Sequence, residues 1–170
     1  NKKIKKNWKI TLIDTGEETQ TGGRIKKIKK YIDDTFLMTY GDGLSNVNIK
    51  NLVSFHKKNK KLATMTVVNP PTRFGSVQLN KNLVHKFNEK PIVSNSWING
   101  GFFVLEPKIF DYISGQNTIW EKEPLQNLSK HKKLSAYLHK EFWQPMDTLR
   151  DRNFLNDLWN SGNAPWKLWK

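Results

Sequence analysis

Phe36-Leu37-Met38-Thr39-Tyr40-Gly41-Asp42-Gly43 is a hydrophobic run that ends in a carboxylate held between two glycines. Residues 36–39 read as a buried strand, and the glycines end it. In open α/β sheets ligands bind in the crevice beyond the carboxyl ends of the strands. Glycine has no Cβ, so backbone and ligand can approach closely there. A carboxylate at that position can hold a divalent cation against phosphate oxygens. Gly-Asp-Gly is also ordinary turn chemistry, so its weight comes from what surrounds it.

Working outward, Trp8–Ile13 alternates apolar and polar residues and predicts a strand. Residues 14–23 read as a polar loop ending Thr21-Gly22-Gly23-Arg24, and Ile25, Ile28 and Ile32 suit a short helix. Ile49, Leu52, Val53 and His56 stand at i, i+3, i+4 and i+7, the stripe of an amphipathic helix. His56 on that face is a packing residue before it is a ligand. Residues 62–68 are a β-branched strand closed by Pro70-Pro71, since proline cannot continue a central ladder. Residues 74–79 and 83–87 flank Asn80-Lys81-Asn82 as a hairpin. Residues 97–105 form another apolar strand, interrupted at Asn99-Gly100-Gly101. Pro107 opens a helix in the N1 manner, residues 121–129 predict a second, and 134–138 a further strand. Thr148 and Asp151 form a capping-box-like start to a helix with Leu155, Leu158 and Trp159 on one face. Alternating strands and helices make this α/β: a mixed sheet with helices on both faces, in a three-layer α/β/α, Rossmann-like order with the 74–87 hairpin as an antiparallel insertion.

The chain has 170 residues, no cysteine and seven tryptophans. That length suits one domain with a real core. Without cysteine there are no disulfides or thiolate metal sites, which agrees with a cytoplasmic location. No apolar run approaches a membrane span. The net charge is +14, from 29 basic and 15 acidic residues. Only Arg24, Arg73, Arg150 and Arg152 are arginine, although arginine's planar fork is the usual reader of phosphate and base edges. The lysines gather at 2–9, 26–30, 57–61 and 130–133, beside hydrophobic segments. They read as solvated faces rather than a nucleic-acid surface, and their excess can steer small anions. A basic nucleic-acid-binding domain is the rival from another class, and it leaves the ordered Gly, Asp, Glu-Lys and Asn elements unexplained.

Six segments converge in order: Thr21-Gly22-Gly23-Arg24, Tyr40-Gly41-Asp42-Gly43, Arg73-Phe74-Gly75, Phe87-Asn88-Glu89-Lys90-Pro91, Trp97-Ile98-Asn99-Gly100-Gly101-Phe102-Phe103 and Phe142-Trp143-Gln144-Pro145-Met146-Asp147-Thr148. Together they resemble the sugar-phosphate nucleotidyltransferases, over essentially the whole chain. The Trp97 and Trp143 strings favour members that use CTP and glucose 1-phosphate; members using UTP or dTTP are the alternative. The resemblance implies in-line attack of the sugar phosphate on the α-phosphate of CTP, giving CDP-glucose and pyrophosphate, with charge neutralised by Mg²⁺ and cations. It implies that Asp42 and Asp147 hold Mg²⁺; as a plain structural residue Asp147 would sit at a helix N-terminus and satisfy its dipole. It assigns the sugar phosphate to Lys90, the sugar hydroxyls to Glu89, and the sugar pocket to Gly75, Asn99 and Gly100. The Gly100-Gly101 pair is equally the signature of a β-bulge. Thr21, Gly22, Gly23 and Arg24 resemble the segment that meets the nucleotide base.

Such enzymes begin with a Gly-rich loop containing Gly-x-Gly-Thr-Arg, followed by Lys-Pro-Lys-Pro, and neither string occurs here. The chain, which starts at Asn1, therefore reads as the C-terminal portion of a single nucleotidyltransferase domain spanning 1–170, with the loop and first strands lying before it. Alone it is expected to be inactive, because the triphosphate clamp and its Arg and Lys are absent. The resemblance also implies a homo-oligomer at full length, and no nucleic-acid or membrane partner.

Overall fold

Two β-rich runs organise the molecule: β3 (Ala63–Val68) and β6 (Ile98–Leu105). Their β-branched and aromatic residues suit a pleated surface buried on both sides. The computed structural model describes residues 8–70, 76–88 and 96–169. In chain order the other elements are α1 (Thr21–Lys27), β1 (Phe36–Thr39), β2 (Gly43–Ser45), α2 (Ile49–Asn59), β4 (Ser76–Asn80), β5 (Leu83–Asn88), α3 (Glu123–Lys130), β7 (Leu134–His139), β8 (Trp143–Pro145) and α4 (Leu149–Asn160). Short 3-10 turns cover Lys29–Tyr31 and Pro107–Tyr112.

The central sheet has the order β1-β6-β3-β7. β6 runs antiparallel to both β1 and β3, and β3 runs parallel to β7. The carboxyl ends of β1, β3 and β7 therefore share one sheet end with the start of β6. Register places Phe36 and Ala63 against Leu105, and Met38 and Met65 against Phe103. These rows pack with Ile25, Ile109, Phe110, Trp120 and Leu128 as the core of one face. Alternate residues turn to the other face, where Thr64 meets His56 of α2. Helical layers thus cover both faces of a mixed sheet, as expected. Each large side chain fully buried in the core is worth about 1.5–3 kcal/mol.

His56 is 1% exposed. Its Nε2 lies 2.9 Å from Glu106 Oε1 and its Nδ1 2.8 Å from Thr64 Oγ1. The carboxylate only accepts, so Nε2 carries the proton. The histidine is a satisfied packing residue, as its place in the apolar stripe indicated.

Several expectations need correction. Residues 8–13 form no strand, and Trp8, Ile10 and Leu12 are 73%, 75% and 92% exposed. Alternation gives an extended segment two different faces, but a strand also needs a ladder partner. Residues 36–39 are a half-exposed strand, not a fully buried one, because their outer row includes Leu37 and Thr39. Residues 21–24 are the start of α1, not the end of a loop. Two glycines disfavour a helix in isolation; here a backbone-to-backbone contact with residues 116–118 requires them. The segment from Pro107 is a 3-10 turn, and the second predicted helix starts at Glu123, with proline in its first turn. The hairpin forms over the shifted strands Ser76–Asn80 and Leu83–Asn88, residues 74 and 75 of the expected first strand lying outside the described residues, and the α4 capping box forms as read.

Candidate functional site

The shared sheet end carries the candidate residues, and a bulge shapes it. Between the pairs Met65–Phe103 and Val67–Asn99, β3 advances two residues and β6 four. The surplus falls at Gly100, Gly101 and Phe102. Gly101 takes φ +78°, in the left-handed region, and a Cβ there would stand 2.8 Å from the Tyr40 ring. A Cβ on Gly100 would stand 3.0 Å from Val68 Cγ1 and 3.1 Å from the Thr66 carbonyl. The bulge reading of this pair is therefore correct, and the bulge presents the backbone as bonding groups. The Gly101 carbonyl accepts from the Tyr40 N–H at 3.0 Å, and the Gly100 carbonyl accepts from Trp143 Nε1 at 2.8 Å. Asn99 Oδ1 accepts from the Gly101 N–H at 2.9 Å.

These bonds draw β8 and the end of β1 onto β6. Pairing of β2 with β8 sets Gly43 opposite Pro145. The Met146 N–H donates to the Asp42 carbonyl at 2.7 Å. Asp42 and Asp147, 105 positions apart in sequence by subtraction, are thereby joined through adjacent backbone, and both are exposed. Asp147 directly precedes Thr148, the N-cap of α4, whose hydroxyl accepts from the Asp151 N–H. Asp151 answers with its carboxylate to the Thr148 N–H and also accepts from Gln144 Nε2 at 3.1 Å, so one side chain ties β8 to the helix start. Ser45 and His139 brace β2–β8 from below: Ser45 Oγ donates to the Phe142 carbonyl at 2.9 Å and lies 3.1 Å from His139 Nε2.

The segment at 21–24 is tied to the same sheet end through Glu121 and Tyr40. Thr21 Oγ1 donates to Glu121 Oε2 at 2.7 Å and accepts from the Trp120 N–H at 2.9 Å. A Cβ on Gly23 would stand 2.3 Å from the Gln116 carbonyl oxygen, and one on Gly22 2.8 Å from that of Thr118. Arg24 bonds Thr15 Oγ1 and the Glu17 carbonyl, holding the 14–17 turn against α1. Tyr40 Oη donates to Glu121 Oε1 at 2.5 Å and accepts from Asn99 Nδ2 at 3.0 Å. Burial, then the hydrogen bond and charge of Glu121, hold the Tyr40 hydroxyl well above the usual phenol range; Asn99 opposes this and Asp42 adds to it. The phenol therefore stays a donor at neutral pH.

The structure thus brings Asp42, Asp147, Asn99 and Gly100 to one sheet end and connects Thr21 to them. Gly75, Glu89 and Lys90 lie outside the described residues. Glu121 carries no signal in the sequence, where it reads only as part of a helical stretch, and Trp143 reads only as part of its string. Among the described residues no group of three or more His, Cys, Asp and Glu gathers to hold a metal ion. The donor set on offer is the pair of exposed carboxylates, hard oxygen ligands that suit a cation completed by water and substrate oxygens. The cavity of about 490 Å³ lined by residues 114–119, Lys122 and Glu123 lies behind the Gly23 contact rather than over Asp42. Among the described residues no helix is long and apolar enough to cross a membrane.

Residues 1–154 match the model of the family described as nucleotidyl transferase. The chain is 48% identical over 165 residues to glucose-1-phosphate cytidylyltransferase of Salmonella typhimurium, covering 96% of this chain and 64% of that one. The same figures hold for the enzyme of that name from Salmonella typhi. Among solved structures, a UDP-glucose pyrophosphorylase complexed with UDP-glucose superposes with a TM-score of 0.64 at 15% identity, over 89% of this chain and 66% of that one. The last likeness is one of fold. The chain spans 64% of the length of the curated relatives it matches.

Proposed function

Since the chain belongs to the nucleotidyl transferase family, we propose that the whole protein transfers a cytidylyl group from CTP to α-D-glucose 1-phosphate. The observation that carries this reading is the 48% identity to a glucose-1-phosphate cytidylyltransferase across 96% of the chain. The meeting of Asp42 and Asp147 on one sheet end supports it. A phosphate oxygen of glucose 1-phosphate attacks the α-phosphorus of CTP, the α–β P–O bond breaks in line, and pyrophosphate leaves with the bond's electrons. No proton need move. Asp42 and Asp147 would hold Mg²⁺, which neutralises charge on the triphosphate when bound. Asn99 and the bare backbone at Gly100 form the sugar side of the site. Thr21, Gly22, Gly23 and Arg24 form the base side. Gly75, Glu89 and Lys90 complete the sugar-phosphate side, with Lys90 as a point charge on phosphate and Glu89 as acceptor from paired hydroxyls. The reading extends to a cytoplasmic homo-oligomer in which these 170 residues form the C-terminal portion of one nucleotidyltransferase domain.

The test is pyrophosphate release by the whole protein with glucose 1-phosphate, Mg²⁺ and each of CTP, UTP and dTTP. CTP-dependent turnover that falls at least about 100-fold in Asp42→Ala is the expected result, in line with the loss of a transition-state charge contact. Turnover with UTP or dTTP alone would overturn the cytidylyl assignment, and full activity of Asp42→Ala would overturn the role of that carboxylate.

A further inference from the structure

Five groups from four separate stretches of chain form one continuous hydrogen-bond line whose donors converge on the Glu121 carboxylate from both sides. Asn99 Nδ2 donates to Tyr40 Oη, Tyr40 Oη donates to Glu121 Oε1, Thr21 Oγ1 donates to Glu121 Oε2, and the Trp120 N–H donates to Thr21 Oγ1. The distances are 3.0, 2.5, 2.7 and 2.9 Å. Every hydroxyl in the line both donates and accepts, and Glu121 uses both oxygens as an acceptor of charge-assisted bonds, which are the stronger kind. One end of the line is the amide on the sugar side. Toward the other end, Thr21 is the first residue of α1, the base side, and its hydroxyl is held in turn by the Trp120 N–H. Tyr40 stands between, two residues before Asp42.

We propose that Tyr40 and Glu121 are positioning residues that couple the two halves of the site, so that a ligand on the sugar side strengthens binding on the nucleotide side and the reverse. This rests on the reading given under Proposed function. A ligand that fixes Asn99 fixes the Tyr40 hydroxyl, hence the Glu121 carboxylate, hence Thr21; the second ligand then meets a wall already ordered. Such coupling is reciprocal by linkage. A purely structural clip makes a different forecast. Glu121 is exposed, so water can replace the hydroxyls on its carboxylate and offset much of the stability they add, and their loss should show in ligand binding more than in melting temperature. Tyr40→Phe is the clean variant, because it keeps the ring that packs on Phe103 and Gly101 and removes only the hydroxyl.

The experiment is calorimetric titration of the whole protein with α,β-methylene-CTP and Mg²⁺, in the absence and presence of saturating glucose 1-phosphate. Wild type should bind the analogue at least about fivefold more tightly with the sugar phosphate present, the low end of typical coupling. In Tyr40→Phe and in Glu121→Gln that ratio should fall to about one while the melting temperature stays close to wild type. Retention of the wild-type ratio in Tyr40→Phe would overturn the proposal alone. A ratio of one in wild type would do the same. Failure of wild type to bind the CTP analogue at all, with turnover on another nucleotide, would overturn the cytidylyl reading, and a ratio of one with that nucleotide's analogue would overturn the coupling.

Discussion

Gly23 has the least room of the described glycines among the candidate residues. Its missing Cβ would sit 2.3 Å from the Gln116 carbonyl oxygen and 2.6 Å from Gln116 Cα. Backbone cannot swing aside as a side chain can, so Gly23→Ala must push α1 off the 116–120 segment. A cost of about 1–3 kcal/mol follows, the range for overpacked positions. In a chain of this size that lowers the melting temperature by several degrees. Gly41 is the opposite case: among the described residues nothing lies within 4 Å of its Cβ position, and its φ is outside the left-handed region. No contact among the described residues requires glycine there, yet it adjoins Asp42. Gly41→Ala should therefore leave stability within about 0.5 kcal/mol and still weaken turnover, because the added side chain would crowd the approach to the proposed Asp42 site. Melting curves and CTP-dependent rates on both variants separate the two kinds of glycine. Equal destabilisation by both would refute the distinction. From sequence the two look alike: each flanks a polar residue in a short Gly-containing string. What tells them apart is a neighbour nearly 100 residues away, which no local pattern encodes.

Elements with a strong period were legible, and those made by tertiary contact were not. α2 and the strands β3, β6 and β7 follow from stripe and β-branching, and the start of α4 follows from Thr148 and Asp151. α1 was hidden because its glycines oppose a helix locally while the 116–120 segment demands them. The candidate carboxylates were placed by resemblance; the meeting of Asp42 with the Asp147 segment depends on the β2–β8 pair, only three residues long on each side. The cap at the start of α4 has a second use there. Asp151 bonds both the Thr148 N–H and Gln144 Nε2, so it fixes the turn that carries Asp147. Thr148→Ala should cost about 1 kcal/mol of stability, the usual price of an N-cap. It should also raise the Mg²⁺ concentration for half-maximal turnover, because the Asp147 segment loses its anchor. A variant that loses stability with an unchanged Mg²⁺ requirement would separate the cap from the proposed metal site. At the other end of α2, Lys60 adopts φ 51° as a left-handed C-cap. A residue with a Cβ pays about 1–2 kcal/mol in that region, so Lys60→Gly should stabilise the protein by about 1 kcal/mol at most, read as a higher melting temperature.

On the scale of the whole molecule, the fold decides what a net charge of +14 can do. Lys57, Lys58, Lys60 and Lys61 close α2 just before β3 begins, and Lys130, Lys132 and Lys133 precede β7. The Ala63 N–H donates to the Lys133 carbonyl at 3.1 Å, so the two groups meet where these parallel strands start. Asp42, Asn99 and Asp147 belong to the opposite end of the same sheet. A strand of six residues spans about 20 Å at 3.3 Å per residue. That is about two Debye lengths at 0.1 M salt, and surface charges so separated from the site are largely screened. This part of the basic excess therefore adds little to substrate capture, despite the general rule that such an excess steers anions. Replacing Lys57, Lys58, Lys132 and Lys133 together by Gln removes four positive charges without touching the site. At 0.15 M salt the KM for CTP should change by less than about twofold. The same four changes should show a larger effect at 0.01 M salt, where the Debye length grows to about 30 Å and reaches across the sheet. A rise of fivefold or more at physiological salt would mean that the lysines act at close range, on the substrate or on a surface that closes over it, and the screening argument would fail.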